Sequence, residues 1–464
     1  MGVTSNAPEA QEQILSTMNR DGSRRRIRPK LTRGRYYRRR WLTAWGLILS
    51  FVLIPILKFK GQPLILLDIG NRNFVFFGTT FLPTDTFFLM LLLFGIFVGI
   101  FLITAIWGRV WCGWACPQTV YMEFIYRPLE VLIEGGRSRQ IKTDTTGVSG
   151  RRLVKHLAFF VVSAFLANTF LAYFVGWDQL LRWMTSSPFQ HPAAFFVMLG
   201  TTVLMFGDFG WFREQTCILA CPYGRFQSVL LDRQSLIVGY DEARGEPRER
   251  LRKKTERTGG DCIDCSLCVT ACPTGIDIRE GGLQMECIAC TQCIDACDEV
   301  MEKIGKPRGL VRYTSQTELA GGHSRFIRPR LVVYSAILLI MFGTLAFSLA
   351  GKSSADVTIL RGLGAPFSVL PSGEVSNQIR IKIANRSDEE RSYTFELIDG
   401  AGLTLVAPEN PLVVEAGDSQ ITAAFITTRP ENFTAGELEI RLKIFNGVDF
   451  EEIRTYRLLG PVDR

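Results

Sequence analysis

The chain has 464 residues, of which 47% are hydrophobic and 33 are phenylalanine, and its formal net charge at pH 7 is +8. At about 150 residues per domain, this length allows two to four domains. So high an apolar and aromatic content argues against a wholly soluble protein and favours one that enters a membrane.

Five segments are long and apolar enough to cross a hydrocarbon layer about 30 Å thick, which takes roughly 20 helical residues. The predicted spans cover residues 41–59, 86–107, 157–176, 193–212 and 331–350. The fourth is the least apolar because Gly200, Thr201, Thr202 and Asp208 dilute it. A buried helix of a soluble protein is the alternative for any one segment, but five together predict a five-helix transmembrane portion.

Lysine and arginine are retained on the cytoplasmic side of a membrane. Residues 1–40 form a basic tail with eleven of them and without the features of a cleaved signal peptide, so the N-terminus is expected inside. Such a run can bind nucleic acid, but its position against a span favours a topology role and no nucleic-acid partner. Five crossings then place residues 108–152 and 213–330 inside and the C-terminal region outside.

Eight of the twelve cysteines lie between residues 261 and 300, in two runs of equal spacing. The first run matches the C-x2-C-x2-C-x3-C-P pattern of bacterial ferredoxins, and the second repeats it with Asp298 in place of the proline. In that pattern the fourth cysteine of each run binds the cluster of the other run. The predicted ligands are Cys262, Cys265, Cys268 and Cys297 for one [4Fe–4S] cluster, and Cys287, Cys290, Cys293 and Cys272 for the other.

Zinc and disulfides are the alternatives for these eight cysteines. Structural zinc takes two well-separated cysteine pairs, whereas each run offers three closely spaced thiols and a fourth. Disulfides are disfavoured because this loop is expected to face the cytoplasm, which keeps thiols reduced. We therefore expect two [4Fe–4S] clusters.

The other four cysteines form two C-x3-C-P motifs, "WCGWACPQTV" and "TCILACPYGR". They are Cys112 and Cys116, and Cys217 and Cys221. In a helix, residues four apart share one face, and both motifs follow the inner end of a predicted span. The pairs are therefore expected at one membrane depth, as one four-thiolate site, two two-thiolate sites or a redox dithiol. The plainer alternative is that they are small apolar residues of membrane helices.

From Gly351 onward the pattern changes to alternating apolar and polar residues, as in "QIRIKIAN" and "LEIRLKIF", separated by turns such as "LPSGE". Several short strands over about 110 residues predict an immunoglobulin-like β-sandwich. This region contains no cysteine, so the disulfide of antibody domains is not expected.

Three stretches together resemble one known family. They are "GWACPQTVYMEFIYRPLE", "FGWFREQTCILACPYGRFQSVLLDRQSLIVGYDEARGEPR" and the double cysteine repeat. The chain resembles, over nearly its whole length, the cytochrome c oxidase accessory proteins of the FixG/RdxA/CcoG family. More distantly similar blocks occur in quinol-oxidising proteins of nitrate and nitrous-oxide respiration.

The resemblance implies a multi-pass protein of the bacterial inner membrane that assists assembly of a cbb3-type oxidase by reducing Cu(II) to Cu(I). It implies a copper-reducing and copper-binding role for Cys112, Cys116, Cys217 and Cys221, with copper as substrate or transient ligand. If the chain is an enzyme, it is then a cupric reductase. The implied partners are membrane lipid, a cytosolic electron donor and proteins of copper handling and oxidase assembly, and a homodimer is left open.

Two other functions remain open. A quinol dehydrogenase-type relay needs a protonatable group near a quinone, and the three histidines, His156, His191 and His323, are more often interfacial anchors than ligands. The chain could instead be a scaffold that docks assembly factors through its C-terminal domain.

The predicted organisation has five parts. They are a basic cytoplasmic tail (1–40), a membrane portion with four helices and both C-x3-C-P motifs (41–240), a cytoplasmic 2[4Fe–4S] ferredoxin-type domain (241–330), a fifth transmembrane helix (331–350) and a periplasmic immunoglobulin-like domain (351–464).

Overall fold

The computed structural model describes residues 16–18, 24–59, 61–70, 73–81, 86–146, 150–250, 259–325, 327–350, 353–387, 389–398 and 402–461. Part of the basic tail and residues 251–258 of the charged connector lie outside the described residues. The chain forms two compact units. The first comprises Met1–Lys58, Pro63–Arg72 and Asp85–Gly343, and the second comprises Phe59–Gln62, Asn73–Thr84 and Thr344–Arg464.

The first unit is mainly helical, and the last of its helices runs on into the second unit. The helices are α1 Arg35–Leu53, α2 Thr86–Trp107, α3 Val110–Trp114, α4 Pro117–Tyr121, α5 Arg127–Glu134, α6 Arg137–Thr146, α7 Gly150–Val175, α8 Trp177–Met184, α9 Pro192–Gly207, α10 Pro222–Leu230, α11 Glu242–Gly245, α12 Leu267–Ala271, α13 Gln292–Lys303, α14 Gln316–Leu319 and α15 Pro329–Ala350. Three π-helical turns cover Met122–Tyr126, Asp208–Phe212 and Thr216–Ala220, and a 3-10 turn covers Ile278–Glu280.

Seven short strands precede the C-terminal sheets. They are β1 Lys58–Phe59, β2 Gln62–Pro63, β3 Ile65–Asp68, β4 Asn73–Phe76, β5 Thr79–Phe81, β6 Ile237–Tyr240 and β7 Val311–Thr314. Strands β6 and β7 pair antiparallel within the first unit, with Ile237 opposite Thr314.

Within the described residues, four helices are long and apolar enough to cross a membrane. The candidate spans are Phe87–Trp107, Gly150–Val175, Pro192–Phe212 and Pro329–Ser348. Large apolar side chains on them are exposed, such as Phe97, Leu204 and Leu339, which suits contact with lipid. These four correspond to the second to fifth predicted spans.

The predicted first span differs from the structure. Helix α1 ends at Leu53 rather than residue 59, and its first turns carry Arg35, Arg38, Arg39 and Arg40. The apolar part of the helix, residues 41–53, is about 20 Å long at 1.5 Å per residue, which is shorter than a hydrocarbon layer of about 30 Å. The five-helix count is therefore not confirmed.

The start of α1 is fixed to the ferredoxin region by a carboxylate. Asp295 of α13 accepts hydrogen bonds from the backbone N–H groups of Tyr36 and Tyr37, at 3.1 and 2.7 Å. These groups lie in the first turn, where N–H groups have no partner inside the helix. The predicted membrane portion and ferredoxin-type region are thus packed into one unit.

Besides β4 and β5, the C-terminal part of the second unit forms two antiparallel sheets. Its strands are β8 Ala355–Arg361, β9 Ser368–Val369, β10 Val375–Asn385, β11 Arg391–Leu397, β12 Leu403–Val406, β13 Leu412–Val414, β14 Ser419–Thr428, β15 Glu437–Phe445 and β16 Glu451–Leu459, with a 3-10 turn at Pro430–Asn432. One sheet has the order β12-β14-β10-β8, with β9 beside β10, and the other has the order β13-β11-β15-β16. Apolar residues of both sheets, including Ile381 and Leu442, are fully buried in one core.

Candidate metal centres

The two ferredoxin-like runs share an unusual backbone pattern. Asp264 and Ala289, which precede the second cysteine of their runs, have φ of 49° and 52°. Ser266 and Thr291, which follow that cysteine, have φ of 54° and 61°. Left-handed conformations are costly for residues other than glycine. Their repetition at equivalent positions indicates that both runs need the same backbone shape around the second cysteine. Alternating conformations of this kind turn successive N–H groups into a concave site for an anion such as an iron–sulfur centre.

The first predicted ligand set surrounds one cavity. The lining of this small cavity includes Cys262, Cys265, Cys268 and Cys297 together with Tyr240 and Arg279. Cys268 lies in α12, and Cys297 comes from α13. The structure thus brings the fourth cysteine of the second run to the first run.

The second predicted set surrounds another small cavity. Its lining includes Cys287, Cys290, Cys293 and Cys272. Pro273 follows the end of the five-residue helix α12, whereas Asp298 stands at the equivalent position inside α13, which continues to Lys303. The absence of the second proline therefore lengthens a helix and leaves the exchange of fourth cysteines between runs unchanged.

These cavities fit [4Fe–4S] clusters by the chemistry of their donors. Burial raises the pKa of Cys268 to about 12 and that of Cys287 to about 11. As bare thiols they would stay protonated at neutral pH, so a positively charged metal is needed to hold the thiolate form. The N–H group of Ala289 also donates to Sγ of Cys287 at 3.4 Å, as expected for a cluster ligand. That these eight cysteines are ligands stays a prediction.

The two C-x3-C-P motifs share an extended second cysteine, so neither is one continuous helical turn from its first cysteine to its second. Cys112 lies in α3 and Cys217 in a π-helical turn, but Cys116 and Cys221 are extended, with ψ of 126° and 111°. A following proline disfavours the helical conformation and then begins the next helix at its first position. In both motifs the second cysteine's N–H donates to the carbonyl five residues earlier.

All four of these cysteines line one cavity. It has a volume of about 320 Å³, and Cys112, Cys116, Cys217 and Cys221 share its lining with Arg109, Tyr223 and Ile288. Of the arrangements left open by the sequence, the structure therefore favours one common site. In the part of the chain that the structure describes, no three His, Cys, Asp or Glu side chains are already placed to hold a single metal ion.

Burial and the nearby sulfur of Cys116 raise the pKa of the Cys112 thiol to about 12. The guanidinium of Arg109 acts in the opposite direction. Cys112 also donates from Sγ to Oε1 of Gln227 at 3.2 Å, and Nε2 of Gln227 donates to the hydroxyl of Tyr223 at 2.9 Å. Gln227 and Tyr223 thus hold the thiol of Cys112 in the cavity, and Arg109 contributes a positive charge to its lining.

Arg109 joins the four-cysteine cavity to the loop of the second cluster cavity. Its guanidinium donates to the carbonyl oxygens of Met285 and Cys287, the latter at 3.3 Å. It also donates to the carbonyl oxygen of Gly224 in α10 at 2.5 Å. One buried side chain therefore connects both C-x3-C-P motifs to the cysteine loop at residue 287.

A second connection runs through aromatic side chains. Nε1 of Trp114, inside the first C-x3-C-P motif, donates to the hydroxyl of Tyr313 at 3.0 Å. That hydroxyl donates to the carbonyl oxygen of Ala289 at 3.0 Å. Ile288 completes the contact because it lines both the four-cysteine cavity and the second cluster cavity. The two sulfur sites are thus immediate neighbours.

Sequence reasoning missed several residues of this region. Arg109 is one of them, although its position three residues before Cys112 could have indicated a role. Tyr223 and Gln227 also lie next to a motif, at intervals that place them along α10. Tyr313 could not have been found, since it lies far along the chain from the sulfurs it supports.

The histidines lie elsewhere. His156, near the start of α7, lines a basic cavity with Trp211. His191, before α9, stacks on Trp183 with ring centroids 4.4 Å apart and lines a separate cavity. His323 is exposed.

Comparison with known protein families gives three matches. Residues 212–316 match a 4Fe-4S dicluster domain, residues 88–138 match a 4Fe-4S binding domain, and residues 345–461 match the IG-like fold at the C-terminus of FixG. These matches confirm the iron–sulfur character of the chain and the immunoglobulin-like C-terminal domain.

Three relatives are similar over most of the chain. The nitrogen fixation protein FixG of Rhizobium meliloti (strain 1021) is 33% identical over 81% of this chain and 79% of its own length. Protein RdxA of Cereibacter sphaeroides is 35% identical over 81% of this chain and 83% of its own length. Protein RdxB of the same organism is 34% identical over 83% of this chain and 84% of its own length.

A crystal structure of a FixG-related protein from Vibrio parahaemolyticus covers 24% of this chain and all of its own, at 14% identity and a TM-score of 0.22. The sequence relatives and the family matches confirm the resemblance to FixG and RdxA. The chain therefore belongs to the FixG/RdxA family and is an iron–sulfur electron-transfer protein with apolar helices suited to a membrane.

Proposed function

We propose that this chain reduces Cu(II) to Cu(I) at the four-cysteine cavity and so prepares copper for assembly of a cbb3-type cytochrome c oxidase. The main support is that Ile288 lines both this cavity and the second cluster cavity. Copper bound among the four cysteines would therefore lie next to a low-potential electron source.

The four sulfur donors are suited to Cu(I), the product of the proposed reduction. Soft thiolate sulfur prefers Cu(I), so binding at Cys112, Cys116, Cys217 and Cys221 favours reduction. Each Cu(II) takes up one electron, which a reduced cytosolic electron carrier loses. The thiols that bind copper release their protons to water, and the guanidinium of Arg109 balances part of the resulting negative charge.

The two [4Fe–4S] clusters belong to the same proposal. Cys262, Cys265, Cys268 and Cys297 would hold one, and Cys287, Cys290, Cys293 and Cys272 the other. When bound, such clusters supply single electrons at low potential. The protein's own part is to hold the second cluster loop against the C-x3-C-P motifs, through Arg109, Trp114 and Tyr313.

We also propose five membrane crossings, the first made by α1 together with the apolar residues 54–57 that follow it, with the N-terminus and ferredoxin region cytoplasmic and the C-terminal domain periplasmic. Support comes from contacts between helix ends. The start of α1 meets the segment after α2, because Nε of Arg40 donates to the carbonyl of Gly113 at 2.9 Å. The start of α15 also meets the end of α2, because Arg328 donates to the carbonyl of Ala105 at 2.8 Å. Neighbouring spans would then alternate in direction.

The contacts between the ends of α7 and α9 complete this arrangement. Lys155 of α7 and Arg213, just after the span that contains α9, both pair with Glu130, at 3.3 and 2.8 Å. The same end of the helices carries most of the arginines, which favours its cytoplasmic location. A cytosolic electron donor would dock there, and copper-handling and oxidase-assembly proteins are the proposed acceptors.

The test is a double substitution, Cys217→Ser with Cys221→Ser, in the full-length protein purified without oxygen. Cu(I) formation is followed with a Cu(I)-specific chelator, and iron and sulfide contents report on the clusters. We expect both clusters to be retained and cupric reduction to fall to the rate without protein. Ile218→Val, which alters the same cavity lining without removing sulfur, should reduce Cu(II) as the wild type does. Undiminished reduction by the double variant would remove this site from the mechanism.

A further inference from the structure

A separate cavity lies beside the start of α7 and the end of the α9 span. It has a volume of about 330 Å³ and is lined by six cationic side chains: Arg24, Arg26, Arg28, Arg152, Lys155 and Arg213. Among the described residues, no carboxylate lines it. A cavity with this lining presents only positive charge to whatever enters it.

Two carboxylates behind the lining form ion pairs that neutralise part of that positive charge. Glu130 pairs with Arg28, Lys155 and Arg213 at 2.5, 3.3 and 2.8 Å. Asp144 pairs with Arg26 and Arg28 at 3.1 Å and with Arg152 at 3.7 Å.

Three further carboxylates and one more arginine form ion pairs with the lining or with one another. Glu134 lies 2.7 Å from Lys155, while Glu214 pairs with Arg127, which also pairs with Glu123. Among these groups, seven cations therefore face five carboxylates. The described part of the region has a surplus of about two positive charges, and an anion in the cavity would balance part of it.

The rest of the cavity is apolar and aromatic. Leu153 and Trp211 line it and are 72% and 45% exposed. Val154, Leu157 and Phe212 continue this exposed apolar surface along the same two spans. Tryptophan is enriched at the level of lipid headgroups, and apolar side chains beyond it face acyl chains. The cationic cavity therefore opens where a membrane surface meets its hydrocarbon.

We propose that this cavity binds the phosphodiester headgroup of an anionic phospholipid, with the acyl chains along the exposed side of Leu153 and Phe212. Basic pockets between transmembrane helices on the cytoplasmic side are suited to such headgroups. A free phosphate offers the same anion but makes no use of the apolar rim. The inference is independent of copper chemistry, since the cavity contains no cysteine among the described lining residues.

The experiment uses the full-length protein, stripped of lipid in a nonionic detergent and examined by native mass spectrometry. Phosphatidylglycerol, phosphatidylcholine and inorganic phosphate are added in separate titrations. The test variant is Arg24→Gln with Arg152→Gln, which leaves Asp144 paired with Arg26 and Arg28. The control is Arg38→Gln with Arg151→Gln, which removes two exposed arginines outside the cavity lining and gives the same net charge. Iron content checks that each variant is folded.

We expect one phosphatidylglycerol to bind tightly to the wild type and the control, and to bind the test variant on the order of tenfold more weakly. Phosphatidylcholine should bind no better to the wild type than to the test variant. Equal affinity of phosphatidylglycerol for all three proteins would overturn the site. Binding of inorganic phosphate without binding of phosphatidylglycerol would overturn the lipid assignment.

Discussion

Gly113 lies directly against the backbone of Cys290. A Cβ atom added to Gly113 would lie 2.8 Å from both the Cα and the N atom of Cys290, and 2.6 Å from the carbonyl oxygen of Ile288. Gly113 is inside the first C-x3-C-P motif, and Cys290 is a predicted cluster ligand. The glycine therefore sets how closely the two sulfur sites can approach each other.

Alanine at Gly113 should force these two backbones apart, because a rigid backbone lies on the other side of the added methyl group. Overpacking of this kind costs about 1 to 3 kcal/mol. We expect Gly113→Ala to lower the apparent melting temperature and to slow cupric reduction. The control is Gly99→Ala in α2, where an added Cβ meets nothing within 4 Å. Wild-type melting and reduction in Gly113→Ala would show that the close approach is not needed.

The link between Trp114 and Tyr313 can be tested by a double-mutant cycle. Tyr313→Phe removes the hydroxyl that bonds both Nε1 of Trp114 and the carbonyl of Ala289. Leaving such buried groups without partners costs about 1 to 3 kcal/mol. We expect Tyr313→Phe and Trp114→Phe each to lower the melting temperature, and the double variant to lower it by less than the sum. A fully additive result would mean that the two side chains do not act together.

The structure groups the eight cysteines around two cavities as their spacing predicts, whereas the membrane portion departs from the prediction at its first span. The grouping could be predicted from the cysteine spacing and Pro273, because the first three cysteines of each run are close together in the chain and a cluster needs them at fixed intervals. The first span was predicted to end at residue 59, but α1 ends at Leu53. Apolar content alone cannot locate where a helix stops. The convergence of Cys112 with Cys217 on one cavity needed the fold, since the alternatives differ only in how distant segments pack.

Local rules also explain why the second cysteine of each C-x3-C-P motif is not helical, so that the condition for the i, i+4 geometry is not met. Pro117 and Pro222 force the cysteine before them into an extended conformation. That consequence could have been drawn from the sequence. The contact between Gly113 and Cys290 could not, because many glycines in the chain have no close neighbour.

Glu130 should make the first unit sensitive to acid. Burial alone would raise its pKa, but the charges of Arg213, Arg28 and Lys155 outweigh burial and hold the pKa below its usual value. Since the folded pKa is lowered, the stabilisation is present above the unfolded pKa of about 4.3 and is lost as pH falls through the folded value.

Glu130→Gln should therefore be less stable than the wild type at pH 7, by about 3 to 5 kcal/mol, because three buried cations lose their common partner. Its melting temperature should also fall less than that of the wild type as the pH is lowered below about 4, towards the folded pKa of Glu130. Glu299→Gln removes an exposed partner of Lys303 and should change stability by no more than about 0.5 kcal/mol. Equal melting temperatures for the two variants at pH 7 would contradict this account of the buried network.

Truncation separates copper reduction from docking. A chain lacking residues 353–464 keeps every cysteine, and all of them belong to the first compact unit. We expect this variant to reduce Cu(II) at the wild-type rate in detergent and to fail to support oxidase assembly in cells. Normal assembly would show that the C-terminal domain has no docking role, and loss of copper reduction would contradict the separation of the two activities.

The most direct test of the central claim follows electrons from the clusters to copper. Full-length protein is reduced without oxygen, freed of excess reductant and mixed with Cu(II), while electron paramagnetic resonance monitors both centres. The account predicts that one reduced-cluster spin disappears for each Cu(II) spin lost in the wild type, and that both signals persist in Cys217→Ser with Cys221→Ser. Equal loss of the signals in both proteins, or no loss in the wild type, would contradict it.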